Sequence, residues 1–392
     1  MKTKTQFVVL IHRFFRDFTP FAPYMAVYFS HSGLSISAIS ALFLVWSTTT
    51  IALEIPTGIL GDRYERKTIL VFGQFAKLLA FSTWLLFPHF WGFLMGLMIW
   101  SLAAALDSGT FQAYIHDLTR EQGGKNNFLS LYSQANTASF LGLFVATVVG
   151  AVTVSLGFNY LLIFSIAGLV VGLAAILAAP APVRELGDAD KPSISLGTVR
   201  KNIAYITQRK MLFSLFIIGV AAAGLKAPLD EYHALFFESR GSALVSIGLI
   251  VASFELVKAL GSMIAGRIPI NASQQKYLLL VIGLLLGTAV LVPPIVSVVL
   301  LVLVIIVDMI LWISNDDEIQ KAAASHNRAT LASVKMFLGE VTAIIAFGAF
   351  SLLTARYAVS SVYLASGMAL IVISCFVFLI PGTKKQHSRG IL

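Results

Sequence analysis

Gly58-Ile59-Leu60-Gly61-Asp62-Arg63-Tyr64-Glu65-Arg66-Lys67 packs five charges into ten residues. On either side the chain reads as hydrocarbon. Residues 38–60 before it and 69–88 after it are each long enough to cross a bilayer, which takes about 20 mostly apolar residues. The stretch is therefore a short polar turn between two membrane spans. The rest of the chain follows the same pattern. Of 392 residues, 57% are hydrophobic and 12% charged, with a mean hydropathy of +0.85. A soluble protein carries roughly twice that charged fraction. Twelve apolar runs can be counted, at 9–30, 38–60, 69–88, 90–115, 128–153, 159–180, 211–234, 243–265, 276–293, 295–315, 329–353 and 359–381. Between the ninth and tenth runs only Pro293 and Pro294 mark a turn.

A net charge of +9 would suit a nucleic-acid partner, but its distribution argues for a membrane instead. With the N-terminus placed in the cytoplasm and Lys276, the first residue of the ninth run, counted with the loop before it, 20 of the 28 Lys and Arg fall in inside loops and tails, six lie within spans, and only Arg240 and Arg356 lie outside. This asymmetry is the positive-inside rule, and it predicts that both termini are cytoplasmic. The first run is not expected to be a cleaved signal, because Arg13, Arg16 and Asp17 interrupt it. Cys375, the only cysteine, has no intrachain partner and is expected to serve in packing.

The one long polar segment divides six spans from six. The expected organisation is a six-span half at 1–180, a cytoplasmic linker at 181–210 and a second half at 211–392. Within the linker Leu196, Val199, Ile203 and Ile206 fall at helical spacing, which suits either a short amphipathic surface helix or a flexible connection. The halves repeat with an offset of about 200 residues. Ser262-Met263-Ile264-Ala265-Gly266-Arg267 is a worn copy of Gly58 to Arg63, with Gly266 where Asp62 would be.

The charged turn resembles the loop between helices 2 and 3 of the major facilitator superfamily, Gly-x-Leu-Ala-Asp-Arg-x-Gly-Arg-Lys. Gly58, Leu60, Asp62, Arg63, Arg66 and Lys67 match, while Gly61 replaces Ala and Glu65 replaces the second Gly. The resemblance covers essentially the whole chain. It implies an all-α polytopic membrane protein with twelve transmembrane helices in two pseudo-symmetric six-helix halves. It also implies a monomer in the bacterial inner membrane, working on a small-molecule substrate without a cofactor. In that family the motif Asp sits at the start of helix 11, here Ser325-His326-Asn327, and the motif Arg pairs with an acid at the end of helix 4, here Asp117. Gly58, Asp62, Arg63, Arg66, Lys67 and Asp117 would then form a conformational switch. The bland alternative is a basic loop that only fixes orientation.

Charges inside a bilayer are costly and usually face a cavity or a partner. Spans 1, 4, 7 and 10 line the cavity of the resembled fold. Arg16, Gln112, Lys226, Asp230, Asp308 and Trp312 are therefore candidate cavity residues, and Asp17, Glu54 and Asp107 candidate proton carriers. Asp17, Asp107 and Asp308 fall in the cytoplasmic half of the membrane. Arg13 and Asp17 are one helical turn apart, Glu255 and Lys258 three residues apart, so both pairs suit structural ion pairs. Asp107 has no basic residue within a turn, which leaves a partner from another helix or a proton. Lys77 fits a snorkelling lysine. Phe14, Phe15, Phe18 and Phe21 suit either packing or an amphipathic wall.

No phosphate-binding Gly-x4-Gly-Lys-Ser/Thr loop, zinc-binding His-Glu-x-x-His or Gly-x-Ser-x-Gly elbow is present, which argues against direct ATP use and against an enzyme. Glu54-Ile55-Pro56-Thr57-Gly58 resembles the lead-in of facilitators often assigned to efflux. Span 5 has Gly142 and Gly150 but lacks the proline of drug antiporters, and Leu106-Asp107-Ser108-Gly109 places an acid where their arginine region lies. The expected function is secondary transport by alternating access, exporting an amphipathic organic solute (a drug, siderophore or other metabolite) against protons. Proton-coupled uptake and a non-transporting sensor or scaffold are the alternatives.

Overall fold

The computed structural model describes residues 3–121, 125–182, 205–265, 268, 270–322 and 328–380. Among them there are helices and connecting turns and no strand. Nine helices are long and apolar enough to cross a membrane. Three further segments complete twelve: the broken first span, Leu244–Ala265 and the shorter Gln275–Leu291. The amphipathic stretch expected at 196–206 lies almost wholly outside the described residues, as do Ser325, His326, Asn327, Gly266 and Arg267.

Three spans are not continuous helices. Span 1 runs Thr3–Asp17, loses helical bonding at 18–21, then resumes through a 3-10 turn, Ala22–Tyr24, into Met25–His31. Pro20 and Pro23 explain this, since each lacks an N–H and disfavours α-helix at the residue before it. Span 7 repeats the break: Lys210–Lys226, a 3-10 stretch Ala227–Tyr232 holding Pro228, then His233–Glu238. Span 4 divides into Phe90–Asp107 and Thr110–Glu121 around Gly109, whose φ of 69° favours glycine. By apolar content alone all three are unbroken runs. Pro56, by contrast, sits inside the continuous helix Ile36–Arg63.

The charged turn needs no second glycine. Tyr64 and Glu65 are both extended, and Glu65, at φ −60° and ψ 127°, caps the start of the next helix, Arg66–Leu86. Its carboxylate accepts from Thr68 Oγ1 at 3.0 Å. At Pro293-Pro294, Pro294 opens the helix Pro294–Ala322, and Ser297 Oγ donates back to the Ala289 carbonyl at 2.7 Å.

By contact the chain forms two compact units. One joins Met1–Asp188 with Glu231–Glu255 and Phe350–Ala355. The other joins Ala189–Asp230, Leu256–Ala349 and Arg356–Leu392. In the first, span 1 packs on spans 5 and 6, and span 3 on spans 4 and 6. Lipid is as apolar as these side chains, so close backbone approach and polar ties hold such helices together. At Gly142 in span 5 a Cβ would lie 2.1 Å from the Phe14 carbonyl oxygen, so glycine is what lets spans 1 and 5 touch. Buried rings fill the far end of the unit: Phe29 stacks on Phe93 at 4.1 Å, and Phe21 and Phe81 meet Trp84. At that same end, away from the charged turn, hydrogen bonds link spans 1 and 2 to the segments 231–255 and 350–355. Tyr232 Oη donates to Ser40 Oγ at 2.6 Å, Tyr24 Oη to the Leu244 carbonyl at 3.0 Å, and Ser37 Oγ to the Ser351 carbonyl at 2.7 Å. In the second unit span 9 packs on spans 10 and 12, and span 7 on the same two.

Candidate functional site

The breaks in spans 1 and 4 bring four of the charged residues together. Asp17 is the last residue of its helix and Asp107 the last of its own. Arg13 Nη1 donates to Asp107 Oδ2 at 3.0 Å, and Arg16 Nη2 lies 3.3 Å from the same oxygen. The Arg13 guanidinium also stands 4.2 Å above the Phe111 ring, one residue into the resumed span 4. Span 3 contributes Lys77, whose Nζ donates to the Arg16 carbonyl at 2.7 Å and lies 3.3 Å from Asp17 Oδ1. The Ser139 hydroxyl of span 5 donates to Asp17 Oδ2. A helix C-terminus carries partial negative charge, so two carboxylates placed there need these cations more than they would elsewhere.

This arrangement corrects two sequence expectations. Arg13 takes Asp107 from another span, not Asp17 one turn away. Lys77 does not snorkel: it is 5% exposed and holds Asp17. The structure also supplies the partner that Asp107 lacked within its own helix.

Two members were missed in the sequence. His12 is buried, with Nδ1 3.0 Å from the Gly172 carbonyl. A carbonyl only accepts, so Nδ1 carries the hydrogen and Nε2 presents a lone pair. Among the described residues, that Nε2 is buried without a hydrogen-bond partner, as are Asp107 Oδ1 and Arg13 Nε. Ser139 gave no signal beyond a hydroxyl in an apolar run. His12 did: it stands one turn before Arg16.

The second unit carries a parallel tie. Lys226, at its own helix break, reaches Asp308 of span 10 at 3.3 Å and Asp230 at 3.8 Å. Asp107 and Asp308 are 201 positions apart, close to the offset between the halves. Each unit thus joins its first and fourth spans through a charged pair next to a break. Lys258 reaches Asp230 at 2.9 Å. Lys335 donates to Asn315 Oδ1 at 2.7 Å and Asp316 Oδ1 at 2.6 Å, a network the sequence reading did not assemble.

The other candidates stand apart from these clusters. Glu54 and Gln112 are exposed, and Trp312 is 52% exposed. Cys375, expected in packing, is exposed as well. Phe15 and Phe18 line an apolar groove of about 330 Å³ with Phe164 and Val171 of span 6. In the charged turn Gly58 and Arg63 are exposed and Lys67 half-buried. Arg66 Nη1 donates to the Asp117 carboxylate and to the Ala113 carbonyl, joining the ends of spans 3 and 4. The side chain of Asp62 lies outside the described residues.

The family model of the Major Facilitator Superfamily matches residues 6–347. The chain belongs to that superfamily. It is 21% identical over 238 residues to YxaM of Bacillus subtilis (strain 168), described as an uncharacterized transporter of the same type, a match covering 59% of this chain and 58% of that protein. Among solved structures, a mutant form of the nucleoside transporter NupG superposes with a TM-score of 0.76 at 14% identity, over 96% of this chain and 99% of that one. A bacterial homologue of the lysosomal transporter Spinster gives 0.73 at 16% identity, over 97% of both chains. A D-xylose-proton symporter gives 0.69 at 14%, over 97% and 98%. At such identities the likeness establishes the fold. As a superfamily member with this fold the protein is a multi-pass membrane transporter of a small molecule, not an enzyme.

The Arg66–Asp117 tie lends itself to a double-mutant cycle. Arg66→Ala and Asp117→Ala are each expected to lower thermal stability of the purified transporter, and together to cost clearly less than their sum, by 0.5–3 kcal/mol of coupling. Full additivity would show that the pair carries no joint energy.

Proposed function

We propose that this protein is a proton-coupled secondary transporter of an amphipathic organic solute, working by alternating access, with Asp107 as the proton carrier. It stands in the bacterial inner membrane with both termini cytoplasmic, as the distribution of Lys and Arg supports. The carrying observation is that buried charges gather where spans 1, 4 and 7 break. Discontinuous helices with free backbone and charged groups are how such folds build a midplane site. Asp107 suits the carrier role because its Oδ2 alone joins span 4 to both arginines of span 1. A proton there removes the charge that holds the two spans together, and so links protonation to helix movement.

Export by exchange and uptake with the proton are both open to such a carrier. The Glu54-to-Gly58 lead-in favours export. The surplus of cations around Asp107 favours uptake, because neutralising Asp107 leaves the arginines free for a solute and proton and solute then bind together. We adopt uptake. The test is flux in proteoliposomes of known orientation under an imposed pH gradient. Accumulation on the alkaline side, in the direction of proton flow, supports uptake. Solute movement against the proton flow would establish export, and flux indifferent to the gradient would remove proton coupling altogether.

A further inference from the structure

We infer that the solute carries a fixed negative charge and docks it on Arg16. The inference rests on the reading of this cluster as the transport site, and adds the class of solute. The cluster holds three cations, Arg13, Arg16 and Lys77, against two anions, Asp17 and Asp107. Lys77 donates to a carboxylate and a carbonyl, contacts that its ammonium form makes best, so its charge belongs in the count. One positive charge is left over, in a region where uncompensated charge is costly.

The surplus localises on Arg16. Asp17 is held by Lys77 and the Ser139 hydroxyl. Arg13 donates to Asp107 and covers the Phe111 ring. Among the described residues Arg16 has one ionic contact, at 3.3 Å, to an oxygen that Arg13 already occupies at 3.0 Å. Its side chain is 8% exposed, and a guanidinium has five donors in a planar fork. Such a fork left short of acceptors matches a carboxylate or sulfonate, which it can bind through two parallel hydrogen bonds. The Phe111 ring beneath the Arg13 guanidinium suits an aromatic or otherwise apolar body behind the anionic group.

The test is thermal stabilisation of the purified full chain by three probes of one shape at matched ionic strength: benzenesulfonate, benzenesulfonamide and benzylamine. A binder raises the midpoint in proportion to the logarithm of its concentration above Kd. Benzenesulfonate is expected to raise it and the neutral and cationic probes to leave it unchanged. Arg16→Gln is expected to weaken the anion at least tenfold, with Arg16→Lys retaining part of the effect. Equal stabilisation by sulfonate and sulfonamide, no stabilisation by the sulfonate, or an undiminished effect in Arg16→Gln would each overturn the inference. The comparison of probes on the unaltered protein decides the matter even where Arg16→Gln does not fold. Because the readout is binding, it stands apart from the flux test: sulfonate binding with gradient-indifferent flux would remove proton coupling and leave the anion site in place.

Discussion

Replacing Asp107 by asparagine is expected to abolish solute accumulation driven by a pH gradient. Asp107 is the shared acceptor of Arg13 and Arg16 at the break in span 4. Asparagine keeps the shape and removes the titration. One coupled proton and a gradient of one pH unit provide about 1.4 kcal/mol, which supports roughly tenfold accumulation. The variant should fall to the level of empty liposomes in the same assay, read with labelled benzenesulfonate. That probe stays ionised and so crosses lipid poorly without the protein. Tenfold accumulation retained in Asp107→Asn would move the proton to another group, with Asp17 next in line as the other carboxylate of the cluster.

The second large effect falls on stability. Lys77→Met removes the ammonium that holds Asp17 and the Arg16 carbonyl in the middle of the first unit. Removing one partner of a buried pair strands the other, and costs about 3–5 kcal/mol. The apparent melting temperature of the purified protein should fall sharply. Removing both charges, as Lys77→Met with Asp17→Asn, should recover most of the loss, because no uncompensated carboxylate then remains. Scanning fluorimetry on the two variants reads the difference. A single variant no less stable than the double would mean that Asp17 draws its compensation from Arg13 and Arg16 instead.

Asp107 is a candidate carrier from the sequence alone, whereas its arginine partners and the Lys77–Asp17 pair become visible only in the fold. What was legible was set by length and by apolar content. Twelve segments follow from apolar runs, and the charged turn from its five charges between two of them. The breaks were not read, although their signals were present in Pro20, Pro23, Pro228 and Ser108-Gly109. Counting hydropathy over some 20 residues averages across a short interruption, so apolar content hides loss of helix. The pairings failed for a different reason. The one-turn rule sees only partners on the same helix, and so assigned Arg13 to Asp17. The actual partner lies 94 positions away, on span 4, and only the fold brings it close. Lys77 read as a snorkelling side chain because nothing in its own helix shows that span 1 ends a turn away with a carbonyl and a carboxylate facing it. In the sequence His12 is a lone histidine in an apolar run. Its weight comes from Gly172 and the arginine cluster, which only the fold brings near.

The turn at Glu65 shows the opposite case. The family pattern has a glycine there, yet the chain turns with ordinary extended backbone at Tyr64 and Glu65. An acid at that position also suits the start of the following helix, where the macrodipole favours negative charge by about 0.3–1 kcal/mol. The substitution therefore keeps the turn and changes how its helix is capped.

The central claim is that Asp107 exchanges its arginine partners for a proton when solute binds. It is tested most directly by following the pH of a weakly buffered solution of purified protein as benzenesulfonate is added. Binding should draw protons onto the wild-type protein, up to about one per site, so that the medium becomes more alkaline, by linkage between the proton and the solute. Asp107→Asn should bind without that change. Proton release on binding, no proton movement in the wild type, or the same uptake in Asp107→Asn would contradict the claim.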